Sequence, residues 1–399
     1  MIDRFKKILF FSSAGVFASL TVAMPVYAAN GYSWTPVSSN PYCYALVASA
    51  TGQELACAPY YGEISISKDY GNTWTAEPSS GSTSSWYDIG MSATGQYLTA
   101  GNDNDGDYIY TSSDYGTTWT PNTNGPSADW STASVSRSGQ YQLIGGYSPG
   151  SIYLSSNYGT TWAQVSSLPT GNWVGSAMSA SGQYMTVTNG GGDIYTSSNY
   201  GVTWASVASL GTENWEQTTI SSSGQYMAAV VSGGDIYTSS NYGVTWVEQT
   251  GSGVHDWNSI ISSGTGQELI AADDNNSGLV YESSDYGQTW SADNDLSSNG
   301  WYLLAGSSDL SRVAAMDNAG NIYLGEDPSL YVPPTSGSAV IPNSTTQQVS
   351  STTGTEVLSP DTGYGRPARE NNMVYVFGIT ATTSLITGSV LFFKHKVKQ

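Results

Sequence analysis

Six tryptophans, Trp86, Trp130, Trp173, Trp215, Trp257 and Trp301, follow one another at steps of 42 to 44 residues. Four stand directly after an Asp or Asn: Asp129, Asn172, Asn214 and Asp256. An indole face beside carboxylate and amide edges suits a sugar, which offers a flat apolar face to stack on and hydroxyls to bond. The competing reading is that each ring packs between neighbouring structural units. A second candidate chemistry is calcium binding. GNDNDGD at 101–107 and ADDNNSG at 272–278 cluster oxygen ligands with glycine, and Asp103, Asp105, Asp107, Asp273 and Asp274 are the candidate ligands. Gly101 fills the place where an EF-hand-type loop has its first Asp, so solvated acidic loops are the alternative. A third is glycoside hydrolysis, which needs two carboxylates flanking a linkage. Asp88, Asp129, Asp193, Glu216, Asp235, Asp256 and Asp274 are available, and the sequence singles out no pair. His255 and His395, the two histidines, are too far apart in the chain pattern to form a site, and no Ser/His/Asp or zinc constellation is supported.

The elements that must position these residues repeat with the same beat. The octapeptides SKDYGNTW, SSDYGTTW, SSNYGTTW, SSNYGVTW (twice) and SSDYGQTW end at Trp74, Trp119, Trp162, Trp204, Trp246 and Trp290. A turn, TGQ or SGQ, recurs at 51–53, 94–96, 138–140, 181–183, 223–225 and 265–267, with SDLS at 308–311 in the same slot, giving seven units. Within a unit, short runs rich in Tyr, Val, Ile, Thr and Trp are broken by Gly, Asn and Ser clusters, which predicts four strands joined by tight turns. Seven such units predict an all-β, seven-bladed β-propeller of four-stranded antiparallel blades over 30–331. The last unit lacks an octapeptide and its fourth strand, while GYSWTPV at 31–37 has the form of that strand. The N-terminal strand is therefore expected to complete the last blade and remove the open sheet edge.

The octapeptide resembles the Asp-box, or BNR repeat, S-x-D-x-G-x-T-W, found in sialidases, sortilin-type receptors, xyloglucanases and photosystem II assembly-factor propellers. The resemblance covers about 300 residues and implies the propeller fold, with the box as a turn between the third and fourth strands, remote from the active face. Asp69, Asp114 and Asp285 interchange with Asn157, Asn199 and Asn241 at the box position. A turn acceptor tolerates that exchange, whereas an acid or base would lose its proton chemistry. Sialidases resemble one another in clamping a carboxylate with three arginines. The propeller region here has Arg137 and Arg312, both expected at turns on the opposite face, so sialidase activity is not expected. Xyloglucanases pair two propellers around a cleft, and this chain has one.

From 30 to 331, 27 Asp and Glu stand against Lys68, Arg137 and Arg312. Such a surface repels nucleic acid and anionic lipid, and leaves cations or neutral ligands as partners. Cys43 and Cys57 are the two cysteines, and a disulfide across the first two strands of blade one is expected. Residues 1–29 read as a signal peptide, with a basic start, an apolar stretch and VYAA before the cleavage point. Residues 332–372 are a Pro/Ser/Thr-rich stalk, 373–393 are 21 residues without a charge and long enough to span a bilayer, and 394–399 form a basic cytoplasmic tail. SPDTG followed by an apolar run and basic tail resembles a cell-wall sorting signal. That resemblance implies a sortase partner cutting between Thr362 and Gly363; a plain membrane anchor is the alternative. The expected protein is thus an exported, surface-displayed monomeric propeller that binds a glycan or a surface protein, with an extracellular glycoside hydrolase as the competing class.

Overall fold

The computed structural model describes residues 31–328, apart from 39–40, 82–83, 103–107, 124 and 148. The expected signal peptide, stalk, sorting motif, membrane span and tail all lie outside the described residues, as do Asp103, Asp105 and Asp107. Among the described residues the helical content is two 3-10 turns, Pro78–Ser80 and Ala208–Leu210, and no helix is long and apolar enough to cross a membrane.

Strand pairing follows the turns. Each Gly of a T/SGQ turn has positive φ, 70° at Gly52 for instance, and joins a first strand, A, to a second, B. C and D strands follow in antiparallel order. Five such four-stranded sheets stand alone, and two more are joined into an eight-stranded sheet through pairing of Ser232 with Asp256. The A strands are Ala45–Ala48, Trp86–Met91, Trp130–Val135, Trp173–Met178, Trp215–Ile220, His255–Ser262 and Trp301–Gly306. They number units 1 to 7. The B strands are buried on both faces in units 1, 2 and 3, as expected for a strand sandwiched between neighbours.

The core is a set of interfaces between units. Ile66 and Ala56 pack with Trp86 and Leu98 across units 1 and 2; Leu46 and Leu55 pack with Ala314 and Ile322 across units 1 and 7. Five further clusters fill the junctions between. Around one end, a backbone ring closes on itself. Ala50, Ala93, Arg137, Ala180, Ser222, Gly264 and Ser308 each donate their N–H to the carbonyl of the next, and Ser308 donates back to Ala50 at 2.8 Å.

Unit 7 takes its D strand from the N-terminus. Ser33–Pro36 pairs antiparallel with Ile322–Glu326, Ser33 opposite Glu326 and Pro36 opposite Tyr323. Tyr32 donates its hydroxyl to the Leu310 carbonyl at 2.7 Å, and Trp34 Nε1 donates to Asp293 of unit 6 at 2.6 Å. Burial, reinforced by Asp293, pushes the carboxyl of nearby Glu282 up to about 8.

In the boxes, Asp69 accepts from Ser67 Oγ (2.9 Å), Thr73 N (2.8 Å) and Thr73 Oγ1 (2.7 Å). Those bonds to the charged form outweigh partial desolvation and lower the pKa of Asp69. Asn157 keeps the bonds from Ser155 Oγ and Thr161 N, and its Nδ2 donates to Thr161 Oγ1 at 2.9 Å. The exchange therefore costs only a reversal of one hydroxyl. The left-handed turn is not carried by glycine alone: the box tyrosines, Tyr70, Tyr115, Tyr158, Tyr200, Tyr242 and Tyr286, have φ of 61–64°. This strained conformation is held by packing. Tyr158, Tyr200, Tyr242 and Tyr286 each stack on a tyrosine of the preceding unit with centroids 4.3–5.0 Å apart. At the closure Arg312 takes that role, its guanidinium 3.7 Å from the centre of the Tyr70 ring.

Candidate functional site

The A strands wall a central channel of about 820 Å³, lined among others by Tyr44, Asp88, Asp129, Glu216 and Tyr302. The end opposite the backbone ring is its mouth. Here the expected tryptophan site requires correction. Trp86, Trp130, Trp173, Trp215, Trp257 and Trp301 are at most 1% exposed, so none offers a face to a sugar. The Nε1 groups of Trp86, Trp173, Trp215, Trp257 and Trp301 donate to backbone carbonyls, Trp86 to Gly62 at 3.0 Å and Trp215 to Gly192 at 3.0 Å. Each ring meets the C-strand tyrosine of its own unit at 5.1–5.7 Å, steeply inclined in every case. They are wedges between units: a Cβ on Gly101 of unit 2 would lie 2.1 Å from Cβ of Trp130 in unit 3.

The side chains that do reach the channel are one position further on. In units 2 to 7 the A–B register slips just after the tryptophan, between Trp86 and Ile89 in unit 2 and between Trp301 and Leu303 in unit 7. A bulge re-aims the side chain it frees. Tyr87, Ser131, Val174, Glu216, Asn258 and Tyr302, with Tyr44 of unit 1, thus form a half-buried ring lining the channel, one residue per unit. Three consecutive units, 7, 1 and 2, contribute tyrosine. Tyr44 lies 5.1 Å from Tyr87 and 5.9 Å from Tyr302, and Tyr60 extends the wall at 5.6 Å from Tyr44 and 5.7 Å from Tyr87. Tyr61 packs edge-on to Tyr60 at 4.7 Å and is 67% exposed, a ring open to a partner. The Cys43–Cys57 disulfide, with Cα atoms 5.2 Å apart, anchors the strand entry from which Tyr44 projects.

Carboxylates face this wall. Burial, and then the charge of Asp274, raise Glu216 to about 7. Burial raises Asp274 as well. The Tyr302 phenol is pushed far up by burial, then by Tyr44, Asp274 and Glu216. Asp129 and Asp256 are exposed at the rim, and Asn275 Nδ2 donates to Asp256 at 3.4 Å. Asp88 is different. Burial in the channel wall lifts it to about 7, yet Oδ1 accepts from Ile89 N (2.8 Å) and Oδ2 from Ala133 N (2.7 Å) of the next unit. Gln217 makes the same bridge to Ile260 N at 2.8 Å, which marks Asp88 as a tie between units. The expected calcium ligand Asp273 is buried and engaged by His255 Nδ1 at 2.9 Å and Asn275 N at 3.0 Å. Among the described residues no three His, Cys, Asp or Glu are grouped to hold a metal ion.

No protein-family model and no curated protein sequence matches this chain. Solved structures do. YCF48 bound to D1 peptide is similar with a TM-score of 0.58 at 14% identity, over 75% of this chain and 97% of that one. YCF48 from Cyanidioschyzon merolae gives 0.57 at 15%, over 73% and 98%. The GH74 xyloglucanase from Xanthomonas campestris gives 0.57 at 14%, over 76% of this chain and 55% of the enzyme. These likenesses show the fold, a β-propeller, and nothing narrower.

Proposed function

We propose that this seven-bladed propeller is a binding module displayed at the cell surface, with its ligand seat at the tyrosine-walled mouth of the channel. The observation that carries the reading is the ring of channel-lining residues, one per unit, in which three tyrosines stand side by side, extended outward by Tyr60 and Tyr61. Aromatic walls with a few polar groups are how proteins hold ligands at concave sites. A peptide-bound relative of the same fold, YCF48 with D1 peptide, supports a protein partner; glycans remain within the same chemistry. Surface display rests on the signal-like 1–29 and the apolar 373–393, and the disulfide fits an oxidising compartment. Sortase processing at Thr362 and Gly363 is the version of display that the SPDTG pattern favours.

One observation favours hydrolysis as a second reading: Glu216, raised to about 7 beside Asp274, has the character of a general acid. Peptide and glycan arrays probed with the full chain, together with an assay for new reducing ends on soluble polysaccharides, separate the two. Capture that is lost in Tyr60→Ala/Tyr61→Ala, without release of reducing ends, is the expected result. Reducing ends released by the protein and not by Glu216→Gln would establish the hydrolase instead.

A further inference from the structure

We propose that the mouth receives a cationic side chain, the lysine or arginine of a peptide partner, inserted between the tyrosine wall and Glu216. The inference rests on the reading of the mouth as the ligand seat and narrows what sits there. Tyr44, Tyr87, Tyr302 and Tyr60 are mutually inclined by 46–83°, so they offer a mixture of ring faces and edges around one recess. Ring faces attract a cation, and more so when water is displaced. Glu216 of unit 5 lines the same channel as Tyr44, Tyr87 and Tyr302, and an inserted cation would favour its charged form.

Nothing basic in the propeller answers this charge at the mouth. Lys68 lies in a box, with Nζ bonded to Thr117 Oγ1 at 3.4 Å. Arg137 belongs to the backbone ring at the far end, and Arg312 is committed to Tyr70 and to Glu326 at 3.3 Å. His255 is paired with Asp273. Glu216 and the rings of Tyr44, Tyr87 and Tyr302 are left lining a channel of about 820 Å³, a volume in the range that holds a small ligand or a long side chain.

The test uses a fluorescent pentapeptide, capped and uncharged apart from one central lysine, its acetyl-lysine twin and its arginine twin, titrated into the full chain by anisotropy at physiological salt. Acetylation should weaken binding at least tenfold, and Tyr87→Ala and Glu216→Gln should each weaken the lysine peptide at least fivefold. Glu248→Gln, on an outer strand, should leave it unchanged. Equal binding of the lysine and acetyl-lysine peptides overturns the cation assignment, as does an equal loss in Glu216→Gln and Glu248→Gln, which would mean diffuse attraction. Binding of both peptides that is lost in Tyr87→Ala would overturn this inference and leave the ligand seat in place. Indifference of all ligands to Tyr87→Ala would remove the seat itself.

Discussion

Tyr302 on the last unit and Tyr44 on the first meet with centroids 5.9 Å apart and planes at 60°, so the tyrosine wall straddles the seam where the ring closes. The N-terminal strand, the outermost of unit 7, completes one of the units that supply this wall.

Trp34 ties the closing strand of unit 7 to unit 6 and is the side chain with which to test that strand. Trp34→Phe removes the donor to Asp293 and should cost about 1.5–3 kcal/mol, the usual range for a hydrogen bond to a charged group. Urea unfolding measures it. A midpoint equal to the parent would mean that the closing strand does not depend on this bond.

The part of unit 6 around Asp293, against which the closing strand lies, also sets a pH dependence. Glu282, ordinarily near 4.5, stands at about 8 in the folded protein, so the folded state holds a proton that the unfolded chain releases. Its contribution is fully present below about pH 4.5 and is lost as pH rises through 8. Melting curves from pH 5 to 9 should show a smaller decline for Glu282→Gln than for the parent. Parallel declines would contradict the assignment.

Box chemistry predicts an unequal pair of substitutions. Asp69→Asn should be tolerated, because Asn157 makes the same turn, whereas Asp69→Ala leaves Thr73 N without its acceptor and should cost about 1 kcal/mol. Equal losses would mean that charge, and not the shared acceptor, holds the turn.

Trp215→Ala should destabilise by about 3–5 kcal/mol, the cost of emptying a buried aromatic site. Ligand affinity of the fraction that remains folded should be unchanged. A large affinity loss in that fraction would restore the tryptophans as contacts.

The fold was legible because it is written seven times over. Six boxes and seven turns gave the units, and the absent seventh box pointed to GYSWTPV as the closing strand. The site was legible only in part. The tryptophan period drew attention to the strands that wall the channel, but a large ring at that position is worth more as a wedge in the core than as a platform in water. The ring that lines the channel sits at the next residue, where the units carry Tyr87, Ser131, Val174, Glu216, Asn258 and Tyr302 with no common type. A bulge that turns such a residue toward the channel leaves no mark in composition. The tyrosine wall needed three units to be seen side by side, and Tyr44 and Tyr302 are more than 250 residues apart in the chain. Likewise, periodicity could not tell that Asp88 ties two units while Glu216 faces the channel.

The described residues have no free thiol, so one introduced cysteine can be labelled selectively. Asn258→Cys carrying a bulky maleimide would plug the mouth, and the same label at Glu248→Cys would sit on an outer strand. Each labelled protein is compared with its unlabelled form on whatever peptide or glycan the arrays identify. Loss of binding at least tenfold for the plugged mouth, with none for the outer label, is the predicted result. Undiminished binding by the plugged protein would contradict the mouth as the ligand seat.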